Sequence, residues 1–211
     1  PLSDVDIDIS NVTAVLSQVD VLRFAHSLSR CNVTVADSRL AAATASAVVA
    51  FAGVTASRVV FSRVSLSSTS GAHRAVRFNG LATASSFSFR SVTISGTTNG
   101  VRFWSLSHSS VAFEAANVDV GLRPLTFQRT FSDVRLNITG SEFQGGNVSA
   151  ISFIMGDLLD STLTFSRFNY TDSKDAQAFD LPHALNDTTI TATECAGQPL
   201  VFNHASPTLN G

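Results

Sequence analysis

Three arginines share one position in a repeated pattern, in which an apolar residue is followed by any residue and then by a second apolar residue. Arg23, Arg77 and Arg102 each lie between the two apolar members. Arg77 and Arg102 belong to successive copies, so a fold that stacks the copies places them side by side. Paired guanidinium groups can bind the carboxylate or sulfate of an acidic glycan. The sequence therefore predicts Arg77 and Arg102 as a ligand site; the alternative is solvated side chains that prevent lateral sheet packing.

Acidic residues are the other candidates for chemistry. Glu114 is isolated on its predicted strand, and Asp37 shares a corner position with Arg63 and Arg167 without a second carboxylate beside it. A pair of carboxylates can hydrolyse a glycosidic bond or hold calcium, but we expect acids in solvated turns. Acids concentrate late in the chain, at Asp157, Asp160, Asp172, Asp175 and Asp180. With no Ser-His-Asp order, phosphate loop or zinc-type spacing, we predict no catalytic residue, no metal site and no cofactor.

Six Asn-x-Ser/Thr sequons provide the one indication of cellular compartment. Each predicted acceptor lies at a corner, in a loop or at an outward strand position, where a glycan needs to be. The alternative is that asparagine prefers turns and solvent. The predicted acceptors are Asn11, Asn32, Asn137, Asn147, Asn169 and Asn186. We therefore predict an extracellular or cell-surface glycoprotein.

The two cysteines, Cys31 and Cys195, lie about six repeats apart. Stacked repeats rise by ~4.8 Å each, so the pair is separated by far more than the ~4.4–6.8 Å that a disulfide allows between Cα atoms. We predict two unpaired thiols that fill small core or corner positions.

Composition limits the partners. A net charge of -2 gives no reason to expect nucleic acid, and no apolar run approaches the ~20 residues of a membrane span. With 44% hydrophobic and 14% charged residues the chain is expected to fold. It begins with Pro1, so we expect a processed chain or a fragment of a longer one, with residues 1–211 as a single domain.

The repeated pattern that contains the arginines runs through the whole chain, and we call each copy a tag. Copies are 21 to 28 residues apart, which is the period of a stacked solenoid. The tags are Leu22-x-Phe24, Val49-x-Phe51, Val76-x-Phe78, Val101-x-Phe103, Leu125-x-Phe127, Ile151-x-Phe153, Phe179-x-Leu181 and Leu200-x-Phe202. A single inward apolar residue is predicted after each tag, for example Val54, Leu81 and Leu106.

A second alternating pattern follows each tag after a short polar turn. It includes Val33 and Val35, Val59 and Phe61, Phe87 and Phe89, Val111 and Phe113, Leu136 and Ile138, and Leu163 and Phe165. Alternation with a period of two indicates strands with one inward side, and valine, isoleucine, phenylalanine and threonine favour them. One copy cannot bury its own apolar side, so the copies must stack.

These repeats resemble a parallel β-helix of the pectate-lyase-like kind. The fold prediction is all-β: a single-stranded, right-handed parallel β-helix of about eight coils, with the tag phenylalanines in an internal ladder. A β-sandwich is the alternative, but it does not require the same aromatic residue at the same phase. Segments such as Val33 to Leu40 and Val59 to Leu66, which are rich in serine and valine, also resemble the surface proteins of the trypanosomatid dispersed gene family. That resemblance implies a surface protein.

The sequence therefore favours a non-enzymatic extracellular structural or adhesion module. Its expected partners are surface glycans or proteins, or copies of itself, with no nucleic acid and no membrane insertion. Each end of a β-helix exposes unpaired strand edges, so a subunit of an end-to-end filament is one alternative. A polysaccharide lyase or hydrolase is the other.

Overall fold

The protein is an all-β parallel solenoid. The computed structural model describes residues 1–68, 73–129, 131–145, 150–153, 157–172, 179–180 and 185–197, and these residues contain strands, turns and bends but no helix. Each turn of the solenoid has a side formed by the tag, a central side, and a third side. No helix in this described part could cross a membrane.

The strands fall into four recurring sets. Those that carry the tag are Leu22–Phe24, Val49–Phe51, Arg74–Thr83, Asn99–Glu114, Arg123–Phe127, Ile151–Phe153 and Phe179–Asp180. Short strands after the tag are Leu2–Ser3, Leu28–Ser29, Val54–Thr55, Leu158–Leu159 and Leu185–Asn186. The central strands are Asp6–Ser10, Asn32–Ala36, Arg58–Ser62, Ser86–Arg90, Phe131–Thr139, Thr162–Ser166 and Thr189–Thr193. The third side contains Thr13–Leu16, Arg39–Ala42, Ser65–Ser68, Thr93–Ser95, Asn117–Asp119, Glu142–Gly145, Asn169–Asp172 and Ala196–Gly197.

Each strand pairs in parallel with its equivalent in the next turn. Val76 is opposite Val101 and Phe78 is opposite Phe103, and the third side forms an eight-stranded parallel sheet. The chain completes about six turns between the tag strands that begin at Leu22 and Phe179. The prediction of about eight coils is slightly higher, because it also counted the tag Leu200-x-Phe202, which lies outside the described residues. The prediction of an all-β parallel β-helix is confirmed, and its right-handedness stays a prediction.

The tag phenylalanines form the predicted internal ladder. The rings of Phe51 and Phe78 stack with centroids 4.8 Å apart, and those of Phe78 and Phe103 with centroids 4.6 Å apart. Phe24 and Phe127 extend the stack at its two ends. The ring spacing matches the ~4.8 Å separation of hydrogen-bonded strands, so each turn positions its tag directly above the previous one.

Two corners of every turn contain a residue with left-handed backbone geometry. In successive turns these pairs are Asp4 and Asn11, Arg30 and Asp37, Ala56 and Arg63, Ala84 and Ser91, His108 and Ala115, Asp133 and Gly140, Asp160 and Arg167, and Asp187 and Glu194. The two members are always seven residues apart, so the central side has the same length in every turn. Two segments vary in length: the one between the third side and the next tag, and the one between the tag and the first corner.

A ladder of buried serines lies just after the first of these corners. The backbone N–H of Ser57 donates to Oγ of Ser85, and that of Ser85 donates to Oγ of Ser109, both at 3.1 Å. Each hydroxyl donates in turn to a carbonyl two residues earlier, as Ser85 does to Thr83 at 2.8 Å. The sequence predicted these serines as polar turn residues; they point inward instead, because consecutive turns satisfy their hydrogen bonds.

One predicted core position is wrong. Leu81 is 52% exposed, and Ala82 occupies the inward position opposite Leu106. The pairing with the next turn shifts between Phe78 and Leu81. This turn has one more residue between its tag and its inward position than the next turn has between Phe103 and Leu106. Gly80 lies within the insertion, where a Cβ atom would come within 2.3 Å of the Ala52 carbonyl oxygen.

Candidate functional site: an arginine pocket on the tag side

Strand alternation breaks just before the tag, and this break assembles the site. Ala75 and Val76 are both buried, so Arg74 and Arg77 emerge on the same outer side of the strand. The next turn repeats this arrangement with Gly100 and Val101 between Asn99 and Arg102. Gly100 is needed there because a Cβ atom would lie 2.2 Å from the Pro124 carbonyl oxygen.

Two columns of outward residues result. Arg74, Asn99 and Arg123 are opposite one another in three successive turns. The second column runs through Ala50, Arg77, Arg102, Thr126 and Ser152. The predicted adjacency of Arg77 and Arg102 is therefore confirmed, but both are half-buried rather than fully solvated, whereas Arg23 in the same column is exposed.

The two columns enclose a small polar cavity of about 110 Å³. Its lining comes from three successive turns and contains no carboxylate. The lining residues are Arg74, Asn99, Arg102, Arg123, Thr126 and Gln128. We call this cavity the arginine pocket. Arg77 lies beside it, in register with Arg102.

The arginines in this region carry like charges that repel one another. Burial, together with the nearby positive charges of Arg74 and Arg77, lowers the pKa of Arg102 to about 10. Burial and the charge of Arg77 also lower the pKa of Arg74. A lowered arginine pKa means that the protonated form is disfavoured. A bound anion would therefore stabilise the protonated arginines of the pocket.

One acid lies at the edge of this region. Oδ2 of Asp20 is 3.9 Å from a terminal nitrogen of Arg77, at the limit of an ion pair. Oδ1 of the same carboxylate already accepts hydrogen bonds from the Ala47 backbone N–H at 3.0 Å and the Ser46 hydroxyl at 3.2 Å. Asp20 therefore offsets part of the charge of Arg77 and does not enter the pocket.

Several buried polar atoms around the pocket have no hydrogen-bond partner within the described structure. They are Nε of Arg77, Nε of Arg123, Oγ1 of Thr126 and Oγ of Ser152. Thr126 is 4% exposed and lines the pocket. Buried polar groups in folded proteins are normally hydrogen-bonded, so these atoms are available to a ligand.

Trp104 flanks the pocket. The guanidinium carbons of Arg102 and Arg129 lie 5.3 Å and 4.8 Å from the centre of its ring. Both distances are within the ~6 Å range of cation–π attraction. Since Trp104 is the only tryptophan, its fluorescence reports on Arg102.

Three arginines outside this region form ion pairs at corners of the described turns. Arg30 contacts Asp4 and Arg63 contacts Asp37, each with a closest distance of 2.6 Å. Arg90 contacts Glu114 at 2.9 Å. The prediction that Glu114 is isolated is therefore wrong, because its partner comes from the preceding turn. Hydrogen bonds from Arg30 and Arg63 hold the pKa of Asp4 and of Asp37 below their usual values.

The described sequon asparagines are accessible to different degrees. Asn11, Asn32, Asn137 and Asn186 are exposed, while Asn169 is half-buried. Asn147 lies outside the described residues. Asn11 occupies a left-handed corner, and Asn32 donates a hydrogen bond to Asp6 at 2.8 Å.

Both cysteines are free thiols, as predicted. Cys31 is buried and Cys195 is exposed. Cys31 occupies the position of the serine ladder one turn before Ser57, and its backbone N–H donates to Oγ of Ser57 at 3.0 Å.

The acids late in the chain form no described site. The described residues contain no group of three or more His, Cys, Asp or Glu side chains that could hold a metal ion. Asp160 occupies a left-handed corner. Asp175 and the side chains of Asp172 and Asp180 lie outside the described part of the structure.

Comparisons of the chain with protein-family models, with curated proteins and with solved structures find no match. The resemblances to pectate-lyase-like proteins and to the trypanosomatid surface family therefore stay predictions. The function has to be argued from the arginine pocket itself.

Sequence reasoning missed Arg74, Arg123 and Thr126 as members of the site. Strict alternation backward from Arg77 predicts residue 75 as the next outward position and places Arg74 in a loop. A signal was present, however. Arg74, Asn99 and Arg123 all stand three residues before the variable tag position, and an offset that recurs with the repeat indicates a column on one face.

Proposed function

We propose that the protein is a non-enzymatic extracellular module that adheres to an acidic glycan through the arginine pocket. The observation that carries this proposal is the half-buried group of Arg74, Arg102 and Arg123, whose pocket contains no carboxylate. By contrast, Arg30, Arg63 and Arg90 each pair with an acid. A cationic group held together by the fold in this way suits a ligand that brings negative charge.

The extracellular part of the proposal is supported by the sequons. Four of the predicted acceptors have exposed side chains. Glycosylation of the purified native protein at Asn11, Asn32, Asn137 or Asn186, detected by mass spectrometry of tryptic peptides before and after removal of N-glycans, would support it. Unmodified asparagine at all four positions would count against it.

A glycan array tests the adhesion function. The wild-type protein is compared with the Arg77→Ala/Arg102→Ala double variant on acidic and neutral glycans. We expect the double variant to lose at least ~10-fold in affinity for acidic glycans, because each charge-assisted contact to arginine in a partly dry site is strong. Binding should also weaken as salt rises.

Arg23→Ala is the matched control. It removes the same residue type from the same column but at an exposed position outside the pocket. Its affinity should stay within ~2-fold of the wild type, because exposed charges contribute little. Equal binding by the double variant and the wild type would refute the assignment of the pocket.

A polysaccharide lyase is the second candidate, and one observation favours it. A lyase stabilises the negative charge that develops when a proton next to a carboxylate is removed, and the arginine pocket supplies cationic groups for this without a carboxylate of its own. Ultraviolet absorbance of unsaturated products from acidic polysaccharides distinguishes the two candidates. Product formation that Arg102→Lys abolishes would replace adhesion with catalysis.

A filament subunit is the other candidate, and the first turn favours it. This turn exposes Leu2, Val15, Leu16 and Val19, which a turn from a second copy could cover. End-to-end fibres in electron micrographs at rising concentration would support this candidate, and single particles at all concentrations would count against it.

A further inference from the structure

The arginine pocket presents donors from three successive turns of the solenoid. Arg74 comes from one turn, Asn99 and Arg102 from the next, and Arg123, Thr126 and Gln128 from the turn after that. The positions are separated by about 4.8 Å for each turn along the solenoid axis. The guanidinium groups therefore approach the cavity from different levels rather than in one plane.

This arrangement fits a carboxylate poorly. A carboxylate presents its two oxygens in one plane. Arginines that approach from three levels of the solenoid do not share such a plane. A tetrahedral oxyanion directs its oxygens in several directions, so each oxygen can meet a different arginine.

The cavity size sets a second limit. A volume of about 110 Å³ is well below the ~300–1,000 Å³ of pockets that enclose a drug-sized ligand. The pocket therefore suits one charged substituent rather than an oligosaccharide, whose sugar rings would lie at its mouth.

The unpartnered atoms supply a third, independent observation. Oγ1 of Thr126 and Nε of Arg123 are buried at the pocket without a hydrogen-bond partner in the described structure. Thr126 is 4% exposed. Once arginines hold an oxyanion, the neutral hydroxyl of Thr126 can donate one further hydrogen bond to it. This contact depends on the position of the accepting oxygen rather than on its charge.

We propose that the arginine pocket selects a tetrahedral oxyanion ester on a glycan, a sulfate or phosphate monoester, over the carboxylate of a uronic acid. This inference rests on the proposed adhesion function and names the group that is recognised. Arg74, Arg102 and Arg123 bind the oxyanion, and Thr126 donates to one of its oxygens.

Titration calorimetry and Trp104 fluorescence test this selectivity. The probes are a sulfated oligosaccharide, the same oligosaccharide after chemical desulfation with its uronates intact, and a phosphorylated monosaccharide. The sulfated form should bind at least ~10-fold more tightly than the desulfated form, which is about 1.4 kcal/mol. The phosphorylated probe determines whether sulfate or phosphate is the preferred source of the same chemistry.

Thr126→Val is the decisive variant. Valine has the shape of threonine and favours a strand, so the fold is retained while the hydroxyl is lost. We expect affinity for the sulfated probe to fall ~5- to 10-fold, with little change for the desulfated probe. Arg58→Gln, an exposed arginine of the central side, is the control and should leave both affinities unchanged.

The outcomes separate the two levels of the argument. Equal or tighter binding of the desulfated oligosaccharide overturns the oxyanion selectivity but leaves acidic-glycan adhesion standing. Unchanged binding of the sulfated probe by Thr126→Val also overturns it. A protein that binds none of the probes refutes the adhesion function itself.

Discussion

The corners and the tag side of this solenoid use arginine in opposite ways. At the corners, Arg30 and Arg63 each meet an acid of the preceding turn at 2.6 Å. On the tag side, Arg102 meets Arg77 in register and lies near Arg74. The corner pairs are well exposed and neutralise themselves. The arginine pocket is half-buried and does not, so the same repeat geometry yields structural contacts in one place and a binding site in another.

The largest expected effect concerns the phenylalanine ladder, which supports both regions. Phe103→Ala should lower the free energy of unfolding by about 3–5 kcal/mol, because Phe103 is fully buried and stacks on Phe78. Chemical denaturation measures it. Leu81→Ala removes an exposed side chain and should cost less than about 0.5 kcal/mol. Similar losses from both variants would show that the ladder does not support the fold.

The serine ladder tests how far the corners depend on buried hydrogen bonds. Ser85→Ala removes the acceptor for the Ser57 N–H and the donor to the Thr83 carbonyl. Leaving these buried groups unpaired should cost about 1–3 kcal/mol. Ser86→Ala, on the half-buried neighbour, is the control for denaturation. Ser85→Cys should be tolerated better than Ser85→Ala, because Cys31 occupies the equivalent position.

On the tag side, one substitution should raise the thermal stability instead of lowering it, by a smaller amount. Arg102→Gln is expected to raise Tm by about 2 °C in low salt without an anion, because it removes a charge that its surroundings disfavour. The sign follows from the lowered pKa of Arg102, near 10. The protonated arginine penalises the folded state below that pH, and the penalty disappears as pH rises toward the unfolded value.

Calorimetric scans of Arg102→Gln beside Arg63→Gln sharpen the comparison of the two regions. Arg63→Gln breaks a corner pair and should leave Tm unchanged or slightly lower. Added sulfate should then raise the Tm of the wild type more than that of Arg102→Gln, because a bound ligand stabilises the folded state. A lower Tm for Arg102→Gln than for Arg63→Gln would show that the pocket arginines are structural after all.

The smallest effect concerns the contribution of the exposed corner ion pairs to stability, which is lost at acidic pH. The pKa of Asp4 and of Asp37 is held below the usual value by Arg30 and Arg63. Their contribution to stability is therefore present above the ordinary carboxyl pKa of about 3.9 and is lost as pH falls through the lowered value. Because these pairs are exposed, the Asp4→Asn/Asp37→Asn variant should differ from the wild type by no more than about 1 °C in Tm at neutral pH. The difference should vanish in thermal scans at pH 2.

The periodic features of the molecule could be predicted from sequence, because each inward position recurs in the same chemical type. Val76 and Phe78 have equivalents in the next turn, so the parallel register and the phenylalanine ladder followed from the tags. The adjacency of Arg77 and Arg102 followed for the same reason.

Departures from strict periodicity could not be predicted in the same way. The extra residue before Ala82 moved Leu81 to the surface, and the break at Ala75 and Val76 brought Arg74 to the outer face. The pair of Arg90 and Glu114 is different, because these residues directly follow Phe89 and Phe113 and so obey the regular register; the sequence contained this contact. The inward serines are hydrophilic, and only the next turn's N–H groups make them suitable for a core.

The constant seven-residue separation of the two left-handed corners restricts where this protein can accept new sequence. An insertion between Ala84 and Ser91, for example, would displace every hydrogen bond of that central strand from its neighbours above and below. The segments that precede the tag, such as residues 43–48 and 96–98, already differ in length and join strands without fixing their register. Engineered epitopes or purification peptides therefore belong in this segment between the third side and the tag, at an exposed residue such as Thr44 or Gly96.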